Sequence, residues 1–169
     1  FTPPALADTI AAGRPTVLTA APAHAAASLG LFAGRDVSSL RAVIMSGAAV
    51  PADLARGLEA ALPGAHICQL WGMTELQNGA LVRPGDGPGA SAVSSGRACT
   101  GNEVRVVTAE GAVAAAGEEG ELQVRGCSLF PGYFGDAAAT RAAFAEDGWF
   151  RSGDLARLDG AGNVTITGR

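Results

Sequence analysis

The sequence predicts an α/β fold: a portion of a parallel α/β subdomain over residues 1–85, followed by a small antiparallel β-barrel subdomain over residues 86–169. Strand-like and helix-like patterns alternate in the first half, which is typical of parallel strands joined by helical crossovers. Short strand-like runs separated by glycine turns fill the second half and indicate antiparallel pairing. A Pro/Gly cluster at residues 83–89 marks the predicted junction between them.

The first half carries three predicted helices and three predicted strands. Proline opens or lies in the first turn of each helix, and glycine follows each helix end. The wholly apolar run Ala42-Val43-Ile44-Met45 predicts a strand that is covered on both faces. Leu54, Leu58 and Leu62 repeat every four residues and share one helix face. The predicted helices cover 3–12, 22–31 and 51–62, and the predicted strands cover 16–20, 42–45 and 66–70.

The second half predicts mostly strands. Leu122 and Val124 alternate with Gln123 and Arg125, so one face of that strand is expected to be apolar. Asp136 is predicted to cap a helix that runs to Phe144. The predicted strands cover 103–108, 121–125, 149–152, 155–158 and 164–167.

Composition excludes several classes of protein. A net charge of −4 leaves no basic surface for nucleic acid, so no nucleic-acid partner is expected. Hydrophobic residues make up 48% of the chain, yet no apolar run approaches the roughly 18 residues of a membrane span. Three widely spaced cysteines fit neither a disulfide framework nor a metal motif, which favours a cytoplasmic location. Phe1 directly precedes a helix-like segment, so the chain is expected to be part of something longer.

The segment Trp71-Gly72-Met73-Thr74-Glu75 carries the first chemical signal. It combines an aromatic face, a flexible glycine, a hydroxyl and a carboxylate, which suit a base, a close backbone approach, a phosphate and Mg²⁺. A core tryptophan followed by a helix that starts at Thr-Glu is the alternative. The loop Ser46-Gly47-Ala48-Ala49 leaves the preceding strand, and the carboxyl ends of parallel strands share one sheet edge, where ligands bind. We therefore expect a pocket at that edge.

The second signal is Ser152-Gly153-Asp154 together with the terminal Gly168-Arg169. A carboxylate after a glycine can approach a ribose closely and accept hydrogen bonds from both hydroxyls, and arginine suits ribose and phosphate oxygens. Taken separately, Gly-Asp is typical of a hairpin turn and a terminal arginine is typically solvated.

Together these segments resemble the adenylate-forming superfamily, which includes acyl-CoA synthetases, luciferases and peptide-synthetase adenylation domains. The resemblance covers nearly the whole chain, and its motifs occur in the family's order. The matching segments are the adenine-flanking loop at 46–51, the aromatic-Gly-x-Thr-Glu motif at 71–75, the Gly-Tyr motif at 125–133, the ribose motif at 148–154 and the start of the hinge motif at 168–169.

The resemblance implies specific nucleotide contacts. Trp71, where tyrosine is commoner, would stack on or beside adenine, Thr74 would contact the α-phosphate, and Glu75 would help to hold Mg²⁺. Asp154 would take the ribose hydroxyls, and Arg169 would reach the ribose or a phosphate.

Further positions follow from the same resemblance. The backbone of Gly47, Ala48 and Ala49 would line the adenine side, while Gly72 and Met73 would border the acyl pocket. Met73 favours an acyl-CoA synthetase over amino-acid-activating relatives. The surrounding segment is most similar to ligases for medium-chain or alicyclic carboxylic acids.

The implied reaction uses ATP, Mg²⁺ and CoA to turn a small-molecule carboxylic acid into acyl-AMP and then into a thioester. In the family, the phosphate loop would precede Phe1, and the domain with the catalytic lysine would follow Arg169. The isolated chain is therefore expected to be inactive and prone to self-association or homo-oligomer formation through an exposed seam. A non-catalytic nucleotide-binding or scaffolding module that kept these motifs is the alternative.

Overall fold

The computed structural model describes residues 2–169, which divide into two compact units. The first unit extends to Leu70 and includes Val82–Ser94, and the second comprises Trp71–Leu81 and Ser95–Arg169. These units do not coincide with the ranges 1–85 and 86–169, because the run at 83–89 lies inside the first unit.

The first unit contains the predicted alternation of helix and strand. Its elements are α1 Pro3–Gly13, β1 Val17–Ala20, α2 Pro22–Leu29, β2 Ala42–Met45, α3 Ala52–Ala61 and β3 His66–Trp71, the last residue of which belongs to the second unit. The strands run parallel: Val17 of β1 lies beside Ala42 of β2, which lies beside His66 of β3. The predicted parallel α/β architecture is therefore confirmed.

Two details of the first unit differ from the prediction. Burial along β2 alternates, because Val43 and Met45 are buried whereas Ala42 and Ile44 are half-buried. Only one face of β2 packs on the apolar cluster, so among the described residues the strand is not covered equally on both faces. α2 ends at Leu29, two residues before the predicted end at Leu31. Gly30 occupies the cap position, and glycine is a poor helix former.

The core of the first unit is formed by helix faces that pack with the sheet. Ile10 of α1, Ala25 of α2 and Leu58 of α3 lie in one cluster with Val43 of β2. Leu62 caps α3 and is also buried, so the predicted leucine repeat does form the buried face of α3.

The second unit is mainly antiparallel. It contains β4 Ala80–Leu81, β5 Arg97–Ala98, β6 Asn102–Val107, β7 Glu119–Gly126, α4 Ala137–Ala143, β8 Phe150–Leu158 and β9 Val164–Gly168. β4 pairs with β5, and the order β6-β7-β8-β9 forms a curled half-barrel sheet instead of a closed barrel. Asp136 caps α4 as predicted, because its side chain accepts a hydrogen bond from the Ala139 amide at 2.8 Å.

The core of the second unit lies on one face of this sheet. Leu122 and Val124 of β7 are fully buried, as their alternation predicts. Gln123 is also buried, and its side-chain oxygen accepts hydrogen bonds from the Arg105 guanidinium. Trp71 and Leu76 belong to the same apolar cluster as Leu122.

Candidate functional site

The segment after β3 is a compact turn. The Met73 carbonyl accepts hydrogen bonds from the amides of Leu76 and Gln77 at 3.2 and 2.7 Å. Gln77 has a φ of 62°, and the Gly79 amide returns to the Trp71 carbonyl at 2.9 Å. No helix begins at Thr74 in this described segment, so the helix start in the alternative interpretation is wrong, although Trp71 does belong to an apolar core.

Gly72 is required by this turn. A Cβ atom built on Gly72 would lie 1.9 Å from the carbonyl oxygen of Gln77, much closer than two such atoms can approach. The close approach of two backbone segments therefore explains why glycine stands in the motif.

Trp71 is buried at the end of β3, with 8% of its surface exposed. A Cβ atom on Gly79 would lie 2.2 Å from Cζ3 of the indole, so the ring packs directly on that glycine. The indole Nε1–H donates a hydrogen bond to Oδ2 of Asp154 at 2.8 Å. Two residues 83 positions apart that were both predicted as site residues are thus in direct contact.

Asp154 lies within β8, where the ladder with β7 is irregular. Gln123 pairs with Arg151 and Glu121 pairs with Leu155, so three residues of β8 oppose Leu122 alone. This segment is a bulge inside a strand, and the alternative interpretation of Gly-Asp as a hairpin turn is wrong.

Hydrogen bonds fix the bulge. The Ser152 hydroxyl donates to the Leu122 carbonyl at 2.6 Å and accepts from the Asp154 amide at 3.1 Å. Gly153 has a φ of 72°, a conformation that favours glycine. The Ser152 hydroxyl therefore connects the backbone amide of Asp154 to the neighbouring strand β7.

Arg169 approaches the other carboxylate oxygen of Asp154. Its Nε lies 3.5 Å from Oδ1, while its side chain is 78% exposed. An ion pair with so exposed a partner stabilises the fold little, so the arginine is available to a ligand. Trp71, Asp154 and Arg169 form one cluster within the second unit.

Glu75 contacts a residue that the sequence analysis named only as part of the Gly-Tyr motif. The Tyr133 hydroxyl donates to Oε1 of Glu75 at 2.9 Å, and the Phe130 amide donates to the Glu75 carbonyl at 2.7 Å. The hydrogen bond to the carboxylate raises the pKa of Tyr133. Thr74 is exposed beside Glu75, and Met73 is partly buried against the apolar cluster.

The remaining predicted residues, Gly47, Ala48 and Ala49, lie in the first unit. They are exposed in an irregular loop that follows β2, and Gly47 has a φ of 85°. Since β2 and β3 are parallel, the loop leaves the edge of the sheet at which β3 also ends.

The donor set for a cation is small. Within residues 2–169, no group of three or more His, Cys, Asp or Glu side chains is arranged to hold a metal ion. Mg²⁺ commonly binds through one or two carboxylates together with waters and substrate phosphates. The single half-buried carboxylate of Glu75 fits that mode of binding.

The relatives of this chain include acid–CoA ligases. It is 37% identical over 162 residues to a feruloyl-CoA synthase of Amycolatopsis sp, covering 95% of this chain and 31% of the relative. It is also 37% identical over 134 residues to the medium-chain fatty-acid–CoA ligase of Escherichia coli K12, covering 79% of this chain and 23% of that enzyme. The chain thus spans 23% to 31% of the length of these relatives.

Solved structures agree on the fold. A putative long-chain-fatty-acid CoA ligase from Rhodopseudomonas palustris CGA009 superposes with a TM-score of 0.86 at 32% identity, covering all of this chain and 41% of that one. The anthranilate CoA ligase AuaEII, solved with anthranoyl-AMP, gives a TM-score of 0.87 at 32% identity, covering 99% of this chain and 32% of that one.

None of the described helices has the length and apolar composition that a membrane span requires. The family model described as AMP-binding enzyme matches residues 1–134. This match covers most of the chain and includes the Trp71 segment. The chain therefore belongs to the AMP-binding enzyme family.

Proposed function

We propose that this chain is part of an ATP-dependent ligase that activates a carboxylic acid as acyl-AMP and transfers the acyl group to CoA. The hydrogen bond between Trp71 and Asp154 carries the proposal, because it joins the two motifs expected to hold one nucleoside. The names of the relatives support the same class of reaction. Because the chain spans 23% to 31% of these relatives, the activity is proposed for a longer protein that contains it.

The ribose end of the nucleotide is assigned to the bulge of β8. A carboxylate has about four lone-pair sites, and the indole of Trp71 uses one of them. The others allow Asp154 to accept hydrogen bonds from both ribose hydroxyls. Arg169, exposed beside Oδ1, would add a donor to the ribose or to a phosphate.

The phosphate end is assigned to the turn after β3. The exposed Thr74 hydroxyl would donate to the α-phosphate, and the Glu75 carboxylate would hold Mg²⁺. When bound there, Mg²⁺ would neutralise charge on the phosphates. Tyr133 donates its hydrogen bond to Oε1 of Glu75, so the carboxylate keeps lone pairs with which it could hold the cation.

The acyl and adenine sides remain predictions from the family pattern. Gly72 and Met73 would border the acyl pocket, and the backbone of Gly47, Ala48 and Ala49 would line the base. The acid is proposed to be medium-chain, alicyclic or aromatic. The relatives include ligases for a medium-chain fatty acid and for a ring-fused propanoic acid. A cytoplasmic location and self-association also remain predictions.

The proposed chemistry depends on positioning. In the first step a carboxylate oxygen attacks the α-phosphorus, and the bond to pyrophosphate breaks. In the second step the CoA sulfur attacks the acyl carbon, and AMP leaves. Holding the reacting atoms in line can supply much of the rate enhancement without covalent chemistry by the protein.

The test measures acid-dependent exchange of pyrophosphate into ATP in the ligase that contains this chain. Asp154→Ala should lower kcat/KM for ATP at least tenfold, because hydrogen bonds to a charged group contribute about 1.5–3 kcal/mol each. Glu103→Gln is the control, since Glu103 pairs with the exposed Arg125 on the same sheet. An unchanged rate in Asp154→Ala would refute the assignment. Nucleotide binding without any exchange in the wild type would favour the scaffolding alternative.

A further inference from the structure

We infer that Phe130 is a positioning residue for the proposed metal site, because its ring, at the centre of an aromatic cluster, holds the loop that binds Glu75. The inference rests on the proposed function, in which Glu75 is the Mg²⁺ ligand. It assigns a role to a side chain that the proposed nucleotide contacts do not include.

The aromatic cluster consists of four side chains, Phe130, Tyr133, Phe144 and Phe150. The ring centre of Phe130 lies 4.8 Å from that of Tyr133 and 5.7 Å from that of Phe150, both edge to face, an arrangement that aromatic pairs favour. It lies 6.2 Å from the ring centre of Phe144, in a stacked arrangement. Phe130 thus contacts every other ring of the cluster.

Phe150 anchors the aromatic cluster on the sheet. It is the first residue of β8, is 2% exposed and pairs with Val124 of β7. A side chain buried in a close-packed interior is held in one rotamer. Phe130 itself lies in the irregular segment between β7 and α4. Because its ring packs against Phe150, the sheet fixes its position.

Two hydrogen bonds connect this segment to Glu75. The Phe130 amide donates to the Glu75 carbonyl at 2.7 Å, and the Tyr133 hydroxyl donates to Oε1 at 2.9 Å. The Tyr133 amide is fixed by the hydroxyl of Thr140 at 2.9 Å, whereas 39% of the Tyr133 surface is exposed. The ring of Tyr133 therefore depends on its contact with Phe130 for its orientation, and Phe130 acts on both hydrogen bonds to Glu75.

The alternative is that the aromatic cluster only stabilises the fold. Loss of a packed aromatic ring lowers stability whether or not the ring acts on a ligand. Loss of positioning weakens the metal-bound form, because groups that orient a metal ligand typically contribute about 10–100-fold to metal affinity. Nucleotide binding with and without Mg²⁺ therefore distinguishes the two roles.

The experiment measures the Kd of α,β-methylene-ATP by calorimetry in the ligase that contains this chain, once with Mg²⁺ and once with EDTA. Phe130→Leu should raise the Kd in Mg²⁺ about tenfold and should change the Kd in EDTA less than about twofold. An unchanged Kd in Mg²⁺ would overturn the inference. Equal losses with and without the metal would overturn it as well.

Phe32→Leu is the matched control, because it makes the same substitution in the apolar cluster of the first unit, where Phe32 is 3% exposed. It should lower the melting temperature, as Phe130→Leu does, and should leave both Kd values within about twofold of the wild type. A loss confined to the Mg²⁺ form in this variant would show that reduced stability alone causes the effect, and the positioning role would be wrong.

Tyr133→Phe provides the test if Phe130→Leu fails to fold. It removes only the hydroxyl through which the ring of Phe130 acts on the carboxylate. The Kd in Mg²⁺ should rise about three- to tenfold, as expected for loss of one hydrogen bond, and the Kd in EDTA should stay within about twofold. An unchanged Kd in Mg²⁺ would contradict the inference.

Glu75→Gln separates failure of the inference from failure of the proposed function. It should weaken binding in Mg²⁺ more than Phe130→Leu does, because it removes the charge of the ligand itself. If Glu75→Gln leaves the Kd in Mg²⁺ unchanged, the metal assignment of the proposed function is wrong. If Glu75→Gln weakens binding in Mg²⁺ and Phe130→Leu does not, only the positioning role is wrong.

Discussion

The hydroxyl of Tyr133 donates a hydrogen bond to the carboxylate of Glu75, 2.9 Å away, across 58 residues of sequence. The Phe130 amide binds the Glu75 carbonyl, so both the side chain and the backbone of Glu75 are held by one loop. The Tyr133 ring is in turn fixed by edge contact with Phe130, with ring centres 4.8 Å apart. The position of the proposed Mg²⁺ ligand is therefore set by a distant segment of the chain.

Glu75→Gln tests the metal role. The amide oxygen of glutamine can still accept the hydrogen bond from Tyr133, so the melting temperature should stay near that of the wild type. Loss of the negative charge should lower activity more than tenfold and raise the Mg²⁺ concentration required for half-maximal rate. Thermal melting and a Mg²⁺ titration of one purified variant measure both effects.

Tyr133→Phe is the companion variant, because it removes the hydroxyl and leaves the carboxylate. Its effect on activity should be far smaller than that of Glu75→Gln. If the two variants lose activity equally at saturating Mg²⁺, the carboxylate acts through its contact with Tyr133 and the metal assignment is wrong.

Gly72→Ala tests the close approach in the turn after β3. Its Cβ would lie 1.9 Å from the Gln77 oxygen, so the turn must shift, at a cost of about 1–3 kcal/mol in free energy of unfolding. Gly160→Ala is the control, because a Cβ there meets nothing within 4 Å, and it should change stability by less than about 0.5 kcal/mol. Urea denaturation of both variants is the measurement; equal stabilities would show that the turn adjusts freely.

The turn between β8 and β9 predicts a pH dependence of stability. Asp159 accepts hydrogen bonds from the Asn163 side chain and from the amides of Asn163 and Ala161, and these bonds lower its pKa below the ordinary 3.8. A carboxyl group with a lowered pKa stabilises the fold above its unfolded-state pKa, and that contribution is lost as the pH falls through the folded-state pKa.

Asp159→Asn should therefore have a lower melting temperature than the wild type at pH 7. This difference in melting temperature should become smaller as the pH falls from 4 toward 2. Melting temperatures of both proteins over this range provide the check. Asp53→Asn is the control, because that side chain is fully exposed and should change stability little throughout. A gap that stays constant down to pH 2 would exclude the ionised Asp159 as its source.

The 169-residue chain by itself should form no thioester and catalyse no acid-dependent pyrophosphate exchange. Its proposed contacts to ribose and base are few, so AMP should bind with a Kd in the millimolar range or weaker. A millimolar Kd corresponds to a binding free energy of about −4 kcal/mol. Calorimetry and the exchange assay test this directly. Acyl-CoA formation at ordinary enzyme rates would require a complete active site within these residues.

The order and type of nearly all elements could be predicted from local signals. Proline at helix starts and apolar runs define α1, α3, β2 and β3, because those signals act over a few residues. The parallel pairing followed from the alternation of helix and strand. The one-sided burial of β2 could not be predicted, because it depends on what the rest of the chain places on its second face.

The sequence identified the residues of the candidate site but not the contacts that position them. The burial of Trp71 depends on Gly79, and the accessibility of Asp154 depends on a bulge opposite Leu122. Neither periodicity nor spacing carries that information, since both features arise from strands paired across the sheet. The role of Tyr133 was missed for the same reason.

The bulge in β8 adds an even number of residues to the strand, so it carries Asp154 without changing which residues of β8 face the core. Between their pairings with Gln123 and Glu121, the residues of β8 advance by four positions while β7 advances by two. Removing one residue would invert the faces beyond it and turn Arg157 toward the core in place of Ala156. Removing two, Gly153 and Asp154, would leave every inward residue inward and restore a regular ladder. The carboxylate is thus carried by an insertion of even length that the sheet could lose without changing which residues it buries.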